Sequence, residues 1–113
     1  MAESIINPTT MSGLTNGINW VKFIDGTMIQ YAKSQVTTTY NATKNPYAYG
    51  GDLVINFPIL FTSSPCITTA VSEGAAWWNS NANNPQVNTF VLSLAGDQTA
   101  TRDVFWIAIG RWK

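Results

Sequence analysis

The sequence predicts an all-β domain, an antiparallel β-sandwich of about six strands, and three observations carry that expectation. Val, Ile and Thr together number 31 against 11 for Leu, Glu and Lys, a bias toward side chains that pack on a pleated surface. Apolar and polar residues alternate at period 2 in several short runs divided by Gly, Pro, Asn and Asp, as strands joined by turns do. Those runs follow one another at the spacing of a sandwich or small barrel, without a fixed-period repeat. At 113 residues the chain is one domain with one core.

Residues 1–17 hold Pro8, Gly13, Asn16 and Gly17 without sustained periodicity and read as an N-terminal leader or joint. The sandwich itself is expected over 18–113. Residues 20–24 and 27–31 flank Asp25-Gly26, a dipeptide suited to a tight hairpin, and the second arm extends toward Thr39. Residues 41–52 form a turn-rich loop bearing Tyr47 and Tyr49. Leu53, Ile55 and Phe57 alternate along a strand that Pro58 interrupts at an edge or bulge. A strand follows over 66–72 with Ile67, Thr69 and Val71 on one side, then a second loop over 73–85. Residues 86–94 resume strand with Phe90, Leu92 and Leu94 inward, and Gly96-Asp97 turns the chain into the last strand.

Composition removes several functions. Six acidic and six basic residues cancel, which leaves no electrostatic footprint for nucleic acid or an anionic membrane. No apolar window has the length of a membrane span, and no basic region with an apolar stretch opens the chain, so neither membrane insertion nor a secretion signal is expected. Histidine is absent and Cys66 is the one cysteine, so no intrachain disulfide, metal site or cofactor is expected, and Cys66 reads as a small buried hydrophobe. Catalysis at neutral pH recruits His or paired carboxylates. Asp25, Asp52, Asp97 and Asp103 instead sit beside Gly or at strand ends, where turn chemistry explains them. The chain is therefore expected not to be an enzyme.

Recognition of a carbohydrate needs flat apolar faces beside fixed amides and hydroxyls. Two loops have that mixture: Trp77, Trp78, Asn79, Asn81 and Asn83 in one, and Tyr47, Tyr49 and Asp52 in the other. Consecutive tryptophans in an extended chain face opposite ways, so one of the Trp77–Trp78 pair belongs to the core or to an interface. Trp20, Trp106 and Trp112 read as structural.

The last strand, residues 104–109, is apolar on both faces. A two-layer domain covers one face of each sheet, so the other face needs a loop or another subunit over it. The expectation places Val104, Trp106 and Ala108 at an oligomer interface with Phe105, Ile107 and Ile109 in the core, or the reverse, since period alone does not choose.

Three segments, residues 20–31 (WVKFIDGTMIQY), 55–61 (INFPILF) and 105–110 (FWIAIG), in this order and spacing, resemble the C-terminal receptor-binding domain of bacteriophage and prophage tail-fibre proteins. The likeness spans 18–112. It implies a compact sandwich similar to H-type lectin domains, forming a homotrimer at the fibre tip and contacting bacterial surface polysaccharide. It further implies a virion protein made in the bacterial host cytoplasm, with residues 1–17 leading to a fibre shaft. The resemblance covers scaffold and not loops, so it carries no binding residue. Two other functions stay open at this point: a trimerisation cap without its own ligand, and a free lectin-like agglutinin.

Overall fold

The structure, a computed structural model, describes residues 10–40, 49–71 and 78–113. Eight strands follow in chain order: β1 (Thr10–Thr15), β2 (Ile18–Phe23), β3 (Thr27–Tyr40), β4 (Tyr49–Asn56), β5 (Cys66–Val71), β6 (Asn79–Asn83), β7 (Thr89–Gly96) and β8 (Ala100–Arg111). All pairings are antiparallel, and no helix occurs among the described residues. The expected all-β antiparallel architecture is what the chain adopts.

One sheet curls into two facing layers. The first runs β1-β2-β3-β8-β5, and the second runs β4-β7-β6. Strand β3 belongs to both: its first twelve residues pair with β8, from Thr27↔Arg111 to Thr38↔Ala100, while Thr39 and Tyr40 meet Gly50 and Tyr49. Across the opposite side, the Thr69 and Ser80 hydroxyls hydrogen-bond at 2.8 Å between β5 and β6.

The core fills the space between the layers. Met28, Ala32 and Val36 of β3, with Val104, Trp106 and Ala108 of β8, face Ile55 of β4 and Phe90, Leu92 and Leu94 of β7. Phe57 and Phe61 close one end, with Phe57 edge-on to Trp106 at 5.9 Å and stacked on Phe90 at 5.5 Å. Most buried polar groups have partners, because an unpaired one costs free energy between apolar layers; among the described residues Gln30 Oε1 and Arg102 Nε are the exceptions. The Thr38 hydroxyl donates to Gln98 O at 2.8 Å and accepts from the Ala100 N–H at 3.1 Å, and Gln30 Nε2 donates to Ile59 O at 2.8 Å.

Most strands lie where period and turn chemistry put them. The Asp25-Gly26 hairpin forms, with the Gly26 N–H on Phe23 O at 3.0 Å and the Thr27 N–H on Asp25 Oδ1 at 2.9 Å. Pro58 ends β4's ladder one residue after Phe57, and Ile67, Thr69 and Val71 point inward from β5.

Four expectations are corrected. The eighth and seventh strands beyond the expected six are β1 and β6. Strand β1 lies inside the segment read as leader, joined to β2 by Asn16 and Gly17 at φ 53° and 78°, the left-handed pair of a two-residue hairpin turn. Its side chains are nearly all exposed, so no apolar period marked it. Strand β6 is Asn-Ser-Asn-Ala-Asn; backbone pairing to β7 overrides the poor strand propensity of asparagine. The loop expected over 41–52 ends by Tyr49, where β4 begins.

The last correction concerns β8 and its neighbour. Val104, Trp106 and Ala108, expected at an oligomer interface, are instead fully buried in the core of the single chain. The gap between the layers encloses the indole, whose Nε1 donates to Ser34 Oγ at 3.2 Å. Phe105 and Ile109 face outward at 42% and 46% exposure. Cys66 is also exposed, because its register partner is Ile109 on that outer face.

Candidate functional site: a polar ladder on the three-stranded layer

On β4, β6 and β7 the residues that do not point into the core form the outer face of the smaller layer. Register sets Asp52, Ser93 and Asn81 in one row and Val54, Val91 and Asn83 in the next. The polar side chains join in a directional chain. Asn81 Nδ2 donates to Asn83 Oδ1 at 2.9 Å, Asn83 Nδ2 donates to Ser93 Oγ at 2.6 Å, and Ser93 Oγ donates to Asp52 Oδ1 at 2.7 Å.

Hydrogen bonds aligned toward a carboxylate polarise one another and fix each rotamer. The chain still has capacity. Asn81 keeps its carbonyl oxygen, both amides keep a second N–H, and Asp52 keeps its second oxygen. Donors and acceptors therefore alternate on a face whose floor is small or aliphatic: Gly50, Ala95, Val91 and Val54. Neighbouring hydroxyls of a pyranose, each both donor and acceptor, match such an array without a metal. Among the described residues no group of three or more His, Cys, Asp or Glu side chains is placed to hold a metal ion.

The ladder continues into a cleft. The β3 register with β2 ends at Tyr31 and its register with β4 covers Thr39 and Tyr40, so between them this edge of β3 has no partner strand and a gap opens toward β4. The gap, about 410 Å³, is lined by Asn16, Lys33, Ser34, Val54 and Asn56 among others. Val54 and Asn56 share β4's outward parity with Asp52, so ladder and cleft meet along one strand.

Of the residues singled out from sequence, Asp52, Asn81 and Asn83 come together, although they arise from different expected loops. Asn79 lies at the start of the same β6 face, opposite Ala95. Tyr49 sits apart at the β3–β4 junction, edge-on to Tyr40 at 5.6 Å. Trp78 packs against the core, lying so close over Gly96 that a Cβ there would overlap its ring, with the Arg102 guanidinium 4.8 Å from the ring centroid. Trp77 and Tyr47 lie outside the described residues. Ser93, the link between the amides and the carboxylate, was missed; its signal was a hydroxyl at an outward position in the middle of a largely apolar strand.

These features define a curled, two-layer antiparallel β domain with a polar outer face on its smaller layer. Solved structures share that fold. An N-truncated R1-type pyocin tail fibre matches with a TM-score of 0.68 at 16% identity, over 96% of this chain and 93% of that one. A P. aeruginosa R1 pyocin fibre matches with a TM-score of 0.67 at 17% identity, over 92% of this chain. This chain spans 28% of that fibre's length. The Gp54 tailspike of Acinetobacter baumannii bacteriophage AP22, solved with A. baumannii capsular saccharide, matches with a TM-score of 0.54 at 15% identity, over 78% of this chain and 18% of that one. No protein-family model and no curated protein sequence matches this chain. The fold is thus one carried by pyocin tail fibres and phage tailspikes.

Proposed function

We propose that this chain is the host-contacting domain of a phage- or prophage-derived tail fibre, binding bacterial surface polysaccharide without cleaving it. It acts on the virion tail after synthesis in the bacterial host cytoplasm. The observation that carries the reading is the Asn81–Asn83–Ser93–Asp52 chain, a lectin-like set of pre-oriented donors and acceptors leading into the cleft at Val54 and Asn56. Pre-orientation lowers the cost of fixing these side chains on binding. The fold likeness to fibres and tailspikes supports the setting.

The protein works as a homotrimer in this reading, and the surface that joins the copies is the outer face of the larger layer. There Val21, Ile29, Ile109 and Cys66 fall in one register row across β2, β3, β8 and β5, with Tyr31, Ile107 and Phe105 beside them. A contiguous apolar face of this kind marks an interaction surface. Three copies raise the avidity of a weak single site.

A second reading, a trimerisation cap without its own ligand, draws on the same apolar face. Binding of labelled protein to host cells and to their purified surface polysaccharide decides between them. Asn81→Ala and Ser93→Ala are expected to weaken binding about fivefold or more each, one good hydrogen bond to a ligand being worth about 1 kcal/mol. Absence of any binding by the intact oligomer would sink the adhesin reading and leave the cap.

A further inference from the structure

We propose that the corner formed by β2, the β2–β3 turn and the C-terminal residues is a second saccharide contact, selective for a pyranose carrying a carboxylate or phosphate. The inference rests on the polysaccharide reading above and adds the charge of the sugar. Trp20 and Lys22 occupy the same side of β2, opposite Gln30 and Met28 in register, but lie toward the end of that face and stay half-buried. The Trp20 ring lies against Gly13, with Nε1 donating to Thr15 Oγ1 at 3.2 Å. Trp112 is pinned beside the turn: its backbone N–H donates to Gly26 O at 2.9 Å and its Nε1 to Phe23 O at 2.8 Å.

Between the two indoles stands Lys22, whose Nζ is 5.7 Å from the Trp20 ring centroid and 5.0 Å from that of Trp112. Lys113 Nζ is 5.0 Å from the Trp112 ring as well. Arg111 adjoins them and donates to Asp25 O at 2.7 Å. Lys22, Arg111 and Lys113 are half of the six basic residues of a chain with no net charge. Among the described residues the ion pair formed is Lys33 with Asp103, on another part of the surface; Lys22 and Lys113 lie over indole rings, with the Asp25 carboxylate near enough to Arg111 and Lys113 to feel their charge.

That arrangement has a chemical use. An indole offers a flat apolar face to the C–H side of a sugar ring, and ammonium groups held at its margin are ready to meet an anion on the same ring. A neutral sugar gains the stack alone. An anionic one gains the stack and a charge-assisted hydrogen bond.

The test uses the assembled protein against three polymers: polygalacturonate for carboxylate, phosphomannan for phosphate, and dextran as the neutral control. Binding to one or both anionic polymers and not to dextran is expected, falling about tenfold or more as ionic strength rises from 0.05 to 0.5 M, since Arg111 and Lys113 are exposed and Lys22 is partly so. Lys22→Gln is expected to weaken that binding about three- to fivefold with an unchanged melting temperature, and Trp112→Phe to weaken it while keeping the fold. Dextran binding as tight as the anionic polymers, no binding to either anionic polymer, or binding indifferent to Lys22→Gln and Lys113→Gln would each overturn the proposal. Host-cell binding that is lost in Asn81→Ala and intact in Lys22→Gln would leave the adhesin reading standing and remove this one.

Discussion

Replacing Trp106 by alanine tests the central claim about β8, that one face is core and the other surface. Trp106 has no exposed area, lies edge-on to Phe90 at 5.1 Å and to Phe57 at 5.9 Å, and donates its indole N–H to Ser34. A buried tryptophan removes roughly 200 Å² from water, worth about 5 kcal/mol at about 25 cal/mol per Å². Partial collapse of the cavity reduces the observed cost toward the usual range of about 3–5 kcal/mol. A chain of this length is stable by roughly 6–17 kcal/mol, so the variant loses a large share of its stability. Next to it in sequence, Phe105→Ala removes a ring that is 42% exposed, and its cost within one subunit is about 1 kcal/mol. Urea denaturation at a concentration low enough to keep the chain monomeric measures both. Equal midpoint shifts for the two variants, or a Trp106→Ala shift below about 1 kcal/mol, would refute the assignment of faces.

Ile107→Lys places a charge at the centre of the outer face; light scattering coupled to size exclusion is expected to show a monomer with unchanged circular dichroism, and a persistent trimer would move the interface elsewhere. The Asp25 carboxyl is held below its ordinary pKa, first by the Thr27 N–H and then by the Thr27 hydroxyl, with Arg111 and Lys113 adding to the effect. Because the folded value is depressed, its contribution is present above the ordinary aspartate value of about 3.9 and fades as pH falls through the lower folded value. Asp25→Ala is therefore expected to flatten the acid limb of a melting-temperature profile below about pH 4 and leave no pH dependence at neutral pH. An unchanged acid limb would show that the carboxylate does not brace the turn.

Much of the scaffold was legible because it follows from local rules. Asp25-Gly26 supplied the turn, Phe90, Leu92 and Leu94 alternated inward, and Pro58 could not continue a ladder. Strands β1 and β6 escaped because exposed or amide side chains have no apolar period, and only pairing with β2 and β7 makes them strands. The site was legible in its residue types and not in its assembly. Asp52 and Asn81 are far apart in the chain and meet because β7 lies between their strands, bringing Ser93 to bridge them.

By itself the sequence determined an antiparallel β domain, its main turns, and a last strand too apolar on both sides for a lone surface. Only tertiary structure decided which side of β8 is core. A period of two names two faces without ranking them, and the choice falls to where an enclosed gap can hold the indole of Trp106, which leaves Phe105, Ile107 and Ile109 on the outer face.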